Sequence, residues 1–181
     1  METTSELITI ERDCEAILIP SGDPIKLIKG THVRITQALG GDFTLFVNGN
    51  LVKISGKDAD AIGKKIVEEV REVSNINKEV TEDDIWEQLR TVYDPEIPVN
   101  IVELGLIYDL KISKENGFYN IYVKMTLTAP GCGMGPVIAQ DAENKIKNLP
   151  QVSNVLVEIV WEPIWDRDMM TDEAKLQLGM M

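Results

Sequence analysis

The sequence predicts an α+β fold in two parts: a small β-rich, barrel-like N-terminal module over residues 1–78, and a two-layer α/β sandwich of order α-β-β-α-β over residues 79–181. Three observations predict it. Short extended runs broken by turn residues crowd the first third of the chain. A period-two run from Phe118 to Leu127 requires one sheet face to meet a core. Helical spacing precedes and follows that run, so helices cover the sheet.

In the first part, Glu15 to Ile19 runs into Pro20-Ser21-Gly22-Asp23-Pro24, a turn by composition. His32 to Gln37 alternates apolar Val33 and Ile35 with polar neighbours until Gly40-Gly41 breaks it. Phe43 to Val47 and Leu51 to Ile54 flank Asn48-Gly49, the pair that best suits a type I′ hairpin turn. Beyond Ser55-Gly56, Ile62, Ile66, Val67 and Val70 fall on one face of a predicted helix, and the stretch Ser74 to Val80 is the expected boundary. His32 has no acid or cysteine beside it in sequence and is assigned a structural or surface role. Cys14, at the head of an apolar strand, is assigned to a core.

The second part opens with Thr81 and Asp84 in a capping-box arrangement, in which each satisfies a backbone N–H of the other. Ile85, Trp86, Leu89, Val92 and Tyr93 then mark one helix face, and Pro95 is expected to stop the helix at Asp94. From Asp94 to Tyr108 two prolines pin a backbone that carries Asp94, Glu96 and Glu103. In this stretch Asp94 suits an Asx-turn or a site, and Asn100 starts a helical turn that Gly105 ends. A strand over Leu106–Ser113 reaches Asn116-Gly117, and the period-two strand returns from it. A helix with Pro136 in its first turn and Pro150 past its end leads to a last strand over Val152–Trp161. In the tail, Trp161 and Trp165 suit either a packing clamp or a flap over residue 132, ahead of a final helix over Thr171–Leu178.

Composition narrows the function classes. Eighteen basic residues against 30 acidic give a net charge of −12, a surface that repels phosphate backbones and argues against nucleic-acid binding. Two cysteines cannot build a disulfide framework and suit a reducing cytosol. The sequence shows no secretory signal pattern and no apolar run of membrane-spanning length, which predicts a cytoplasmic protein without a membrane partner. It has no phosphate-cradling Gly-x-x-x-x-Gly-Lys-Ser/Thr loop and no four-ligand zinc pattern.

The residue that carries chemistry is Cys132, within Thr128-Ala129-Pro130-Gly131-Cys132-Gly133-Met134-Gly135. Glycines on both sides remove side-chain bulk, so a partner backbone or a cluster can approach the sulfur. A helix starting near Met134 turns the positive end of its dipole towards that turn. Taken alone, a lone cysteine is as well explained by burial in a tight turn.

The Asp94–Tyr108 run, the hairpin, and the Thr128-x-x-x-Cys132 turn entering a helix together resemble the small domain of iron-sulfur cluster assembly proteins of the SufT and PaaD type. The resemblance covers about residues 80–165, and the tail and the N-terminal half look like those of SufT. It implies a non-enzymatic factor in iron-sulfur protein maturation, with Cys132 as the reactive thiol and possible cluster ligand. Asp94 and Thr128 match the motif acid and threonine; Glu96, Glu103, Gly131 and Gly133 are expected to support the site. Many members follow the cysteine with proline, where this chain has Gly133. Common clusters are held by four thiolates, so one thiol implies a transient or shared cluster, held with a carrier or scaffold protein, passed to a client apoprotein, or split across a homodimer. Two alternatives remain: an adaptor that binds no metal, and a cysteine-dependent redox or acyl-transfer enzyme. The second lacks a histidine base or a resolving cysteine near the turn.

Overall fold

The computed structural model describes residues 7–66 and 79–180. The chain divides into two compact units, residues 1–70 and 71–181, of mixed α and β structure.

The first unit is a six-stranded sheet of β1 (Leu7–Thr9), β2 (Cys14–Ile19), β3 (Pro24–Leu27), β4 (His32–Leu39), β5 (Asp42–Val47) and β6 (Asn50–Ile54), in the order β1-β4-β5-β6-β2-β3. Every pairing is antiparallel. Asn48 and Gly49 both adopt positive φ, 49° and 85°, as a type I′ turn requires. Alternation along the strands buries Val33, Ile35, Leu45, Val47, Val52 and Ile54 in one core, and Cys14 lies in the same cluster. Burial there pushes the Cys14 thiol above its ordinary range.

Three details differ from expectation. Among the described residues no ladder joins β1 to β3, so the pairing is that of an open sheet with two edges rather than a closed barrel. Strands β1 and β3 were not expected; β3 starts on Pro24, whose missing N–H suits the first position of an edge strand. The helix expected beyond Gly56 is a 3-10 helix, Gly56–Ile62, stopped by Gly63 in the left-handed region. Residues 67–70 of that expected helix, and most of the 74–80 boundary, lie outside the described residues.

The second unit runs α1 (Glu82–Leu89), β7 (Ile107–Glu115), β8 (Phe118–Met125), α2 (Gly135–Lys147), β9 (Val152–Ile159) and α3 (Asp172–Gln177). The sheet order is β7-β8-β9, antiparallel between β7 and β8 and parallel between β8 and β9. Thr81 caps α1 through the reciprocal capping box with Asp84. The helix ends at Leu89, short of the expected Asp94, because β-branched Thr91 and Val92 enter a turn and Tyr93 pairs as an isolated bridge with Asn100. On β8, Tyr119, Ile121, Val123 and Met125 are buried beneath the helices. Ile85 and Leu89 of α1 and Ile138, Ala142 and Ile146 of α2 complete the layer with no exposed surface. Each such aliphatic side chain contributes about 1.5–3 kcal/mol by leaving water.

The opposite sheet face is polar. There Tyr122 donates to the Glu158 carboxylate on the neighbouring strand, and ionisation would lose that bond and set two negative charges side by side. The Tyr122 phenol is thereby pushed up to about 12. Spectrophotometric titration is expected to find Tyr122 ionising at about 12, above the ordinary phenol value of about 10, and Glu158→Gln to return it towards that value. A titration unchanged by that substitution contradicts the pairing.

Candidate functional site at the carboxyl ends of β8 and β9

Parallel pairing of β8 and β9, bridged by α2, puts the carboxyl ends of both strands on one side of the unit, where α/β folds commonly hold their ligands. Strand β7 starts at the same end, since Ile107 pairs with Met125 and Met125 with Ile159. Three segments therefore meet there: 94–106 before β7, 126–134 after β8, and 160–170 after β9. Backbone bonds hold them together. Thr126 N–H donates to the Leu106 carbonyl at 2.8 Å, and Val160 N–H to the Met125 carbonyl at 2.8 Å.

Cys132 sits at the far side of the turn after β8. Leu127 and Met134, both buried, anchor the two ends of that turn, while Ala129, Pro130 and Gly131 are exposed and Cys132 is half-buried. Gly131 adopts φ +81°, and a Cβ there would meet nothing within 4 Å, so the turn is open at Gly131. Gly135 N–H donates to the Cys132 carbonyl at 3.1 Å and starts α2, whose first turn includes Pro136 and has no side-chain cap. The positive end of α2 thus lies three residues from Cys132, a setting that favours an anionic ligand or partner group. At Gly135 a Cβ would fall 2.5 Å from the Leu127 side chain, which fixes the helix start tightly against the strand ends.

The acidic segment is held as firmly. Asp94 is buried and makes an Asx-turn, its Oδ1 accepting from Glu96 N–H at 2.9 Å. The Glu96 side chain is exposed. Asn100 Oδ1 accepts from Val102 and Glu103 N–H at 3.0 and 2.9 Å, so it caps a single turn that Gly105 closes at φ +72°. Thr128 and Gly133 are half-buried within the cysteine turn. Among the described residues no group of three or more His, Cys, Asp or Glu side chains could hold a metal ion.

Sequence reasoning missed how the C-terminal residues act as a strap. Trp165 Nε1–H donates to the Leu104 carbonyl at 2.8 Å, Gln177 Nε2–H to the Pro98 carbonyl at 2.8 Å, and Tyr108 O–H to the Pro163 carbonyl at 2.8 Å. Glu103, expected beside the thiol, accepts from the Thr171 hydroxyl at 2.6 Å, and Arg90 lies 3.8 Å away. The strap therefore clamps the Pro98–Leu106 segment, and Trp165 is the packing clamp of the two readings its sequence allowed. The available signal was Gly105: a Cβ there would lie 2.2 Å from the Met169 carbonyl oxygen.

The model of the family described as iron-sulfur cluster assembly protein matches residues 82–157, which contain the Asp94 segment and the Cys132 turn. An Fe-S protein maturation auxiliary factor of Porphyromonas gingivalis is 46% identical over 101 residues, covering 56% of this chain and 93% of that protein. The chain belongs to the iron-sulfur cluster assembly protein family. The Fe-S protein maturation auxiliary factor SufT of Staphylococcus aureus is 40% identical over 89 residues, 49% of this chain and 98% of that one, and the chain is SufT-like. The rest of this chain has no counterpart in that SufT, so the expected likeness of the N-terminal half to SufT is not supported by this member of the family. Among solved structures, Domain of Unknown Function DUF59 from Bacillus anthracis is 38% identical with a TM-score of 0.50, covering 55% of this chain and 92% of that one.

Gly105→Ala is expected to lift the strap, since the left-handed φ and the Met169 carbonyl both reject a Cβ. The measurement is tryptophan emission, which should shift to the red in Gly105→Ala and shift far less in a Trp165→Phe background. Unshifted emission contradicts the clamp.

Proposed function

We propose that the protein is a non-enzymatic auxiliary factor that helps deliver iron-sulfur clusters to client apoproteins through Cys132. The observation that carries this reading is the placement of the two cysteines: Cys132 stands half-buried in an open glycine turn, whereas Cys14 is buried in the core of the other unit. One chain then offers one accessible thiolate, and a cluster that needs about four ligands must take the others from elsewhere. The cluster is cargo in this reading, bound briefly and shared with a carrier, scaffold or client protein. A homodimer that pairs two Cys132 thiolates would supply half the set.

Around the thiol, Gly131 and Gly133 leave room for a partner, Thr128 lines the turn, and Asp94 with Glu96 forms the Asx-turn that holds the neighbouring segment. Glu103 acts one step further away, by fixing the strap. We assign residues 1–78 to a separate β-rich domain and residues 79–181 to the assembly domain. The working compartment in this reading is the cytoplasm; among the described residues no helix is long and apolar enough to cross a membrane.

In cells limited for this factor, Cys132→Ala is expected to lower cluster occupancy of iron-sulfur clients several-fold at unchanged abundance of the variant. Asp94→Asn, which keeps an Asx-turn acceptor and removes the charge, is expected to be milder. Full client activity with Cys132→Ala at normal abundance would sink the proposal, and retained partner binding alongside it would favour an adaptor that binds no metal.

A further inference from the structure

The strap exposes an unusual run of apolar side chains. Trp161, Ile164, Met169, Leu176 and Met180 are all exposed, with Ile164 at 79% and Leu176 at 69%. Among the described residues elsewhere in the second unit, the exposed large apolar ones are Phe118 and Leu156, separated singly on the sheet. Scattered apolar residues are ordinary on a protein surface, whereas five within twenty residues concentrate exposed apolar area on one segment. The backbone beneath them is fixed by the bonds from Trp165, Thr171 and Gln177, so the side chains are presented rather than loose. Tyr108 O–H reaches both the Pro163 carbonyl and Met169 Sδ, which brings the two halves of the run together around one phenol.

Charge selects the partner. Glu162, Asp166, Asp168, Asp172 and Glu173 are exposed along the same segment, against Arg167 and Lys175. Lys175 is turned inward, donating to the Asp168 carbonyl at 3.4 Å. An apolar run edged by carboxylates complements an amphipathic segment with lysine or arginine along its polar side. The strap is also well placed. It leaves β9 at Val160, bonded to Met125 of β8, and β8 leads into the turn of Cys132 seven residues later.

We propose that the exposed face of the strap is the docking surface for a basic amphipathic segment of a partner protein, which it holds beside Cys132; the link to Cys132 rests on the delivery role assigned to that thiol. The strap lies beyond the residues matched by the family model, 82–157.

The test uses the full chain and a fluorescein-labelled amphipathic helical peptide made only of leucine and lysine, followed by anisotropy, with a peptide carrying glutamate for lysine as control. The lysine peptide is expected to bind and the glutamate peptide not to. Ile164→Ser and Leu176→Ser, made separately, should each weaken binding about ten-fold, the scale of one lost aliphatic anchor. Leu156→Ser on the sheet and Cys132→Ala should leave it unchanged, which separates this surface from the thiol's role. No binding of the lysine peptide, undiminished binding by both strap variants, or an equal loss with Leu156→Ser overturns the proposal.

Discussion

The parallel pairing of β8 with β9 governs this molecule. A parallel pair needs a crossover, and α2 provides it, starting at Gly135, which lies close against the Leu127 side chain. That crossover forces the chain to turn between Thr126 and Met134 at the carboxyl end of β8. Cys132 is in that turn because there is nowhere else for the connection to go. The antiparallel partner β7 begins at the same end, so Leu106 arrives beside Thr126 where the turn starts, and the strap leaves from the third strand. One pairing thus places the turn of Cys132, the end of the segment before β7 and the start of the strap at one end of a small sheet.

The same architecture limits what the thiol does. Cys132 is held by its backbone, through the Gly135 bond and the buried side chains of Leu127 and Met134, while Gly131 beside it in sequence faces open space. The arrangement suits a ligand that arrives with another protein. The family match and the auxiliary maturation factors among its relatives agree with such a role.

Much of the second unit was legible because its local signals agree with one another. The Thr81–Asp84 box, the Asn116-Gly117 turn, the alternation of β8 and the Asn100-to-Gly105 turn each name a backbone geometry, and each is present. The end of α1 was misplaced because Pro95 was read as the terminator, whereas the Tyr93–Asn100 bridge had already drawn the chain into extended form. Strand β1 was missed because three residues carry too little pattern, and barrel closure was inferred from strand number alone, which does not fix pairing at the edges. The glycine turn that carries Cys132 was legible from its residues, but the employment of Glu103 by Thr171 was not. That contact joins residues 68 positions apart, and no local pattern reports it.

The central claim is that Cys132 is the one thiol through which this protein handles a cluster. Anaerobic incubation with ferrous iron, sulfide and a small thiol that supplies the remaining ligands, comparing absorbance and bound iron for the native chain and Cys132→Ala, tests it most directly. The account predicts a visible chromophore and bound iron in the native protein that are lost in Cys132→Ala. Equal iron and absorbance in both proteins, or none in either, would contradict it.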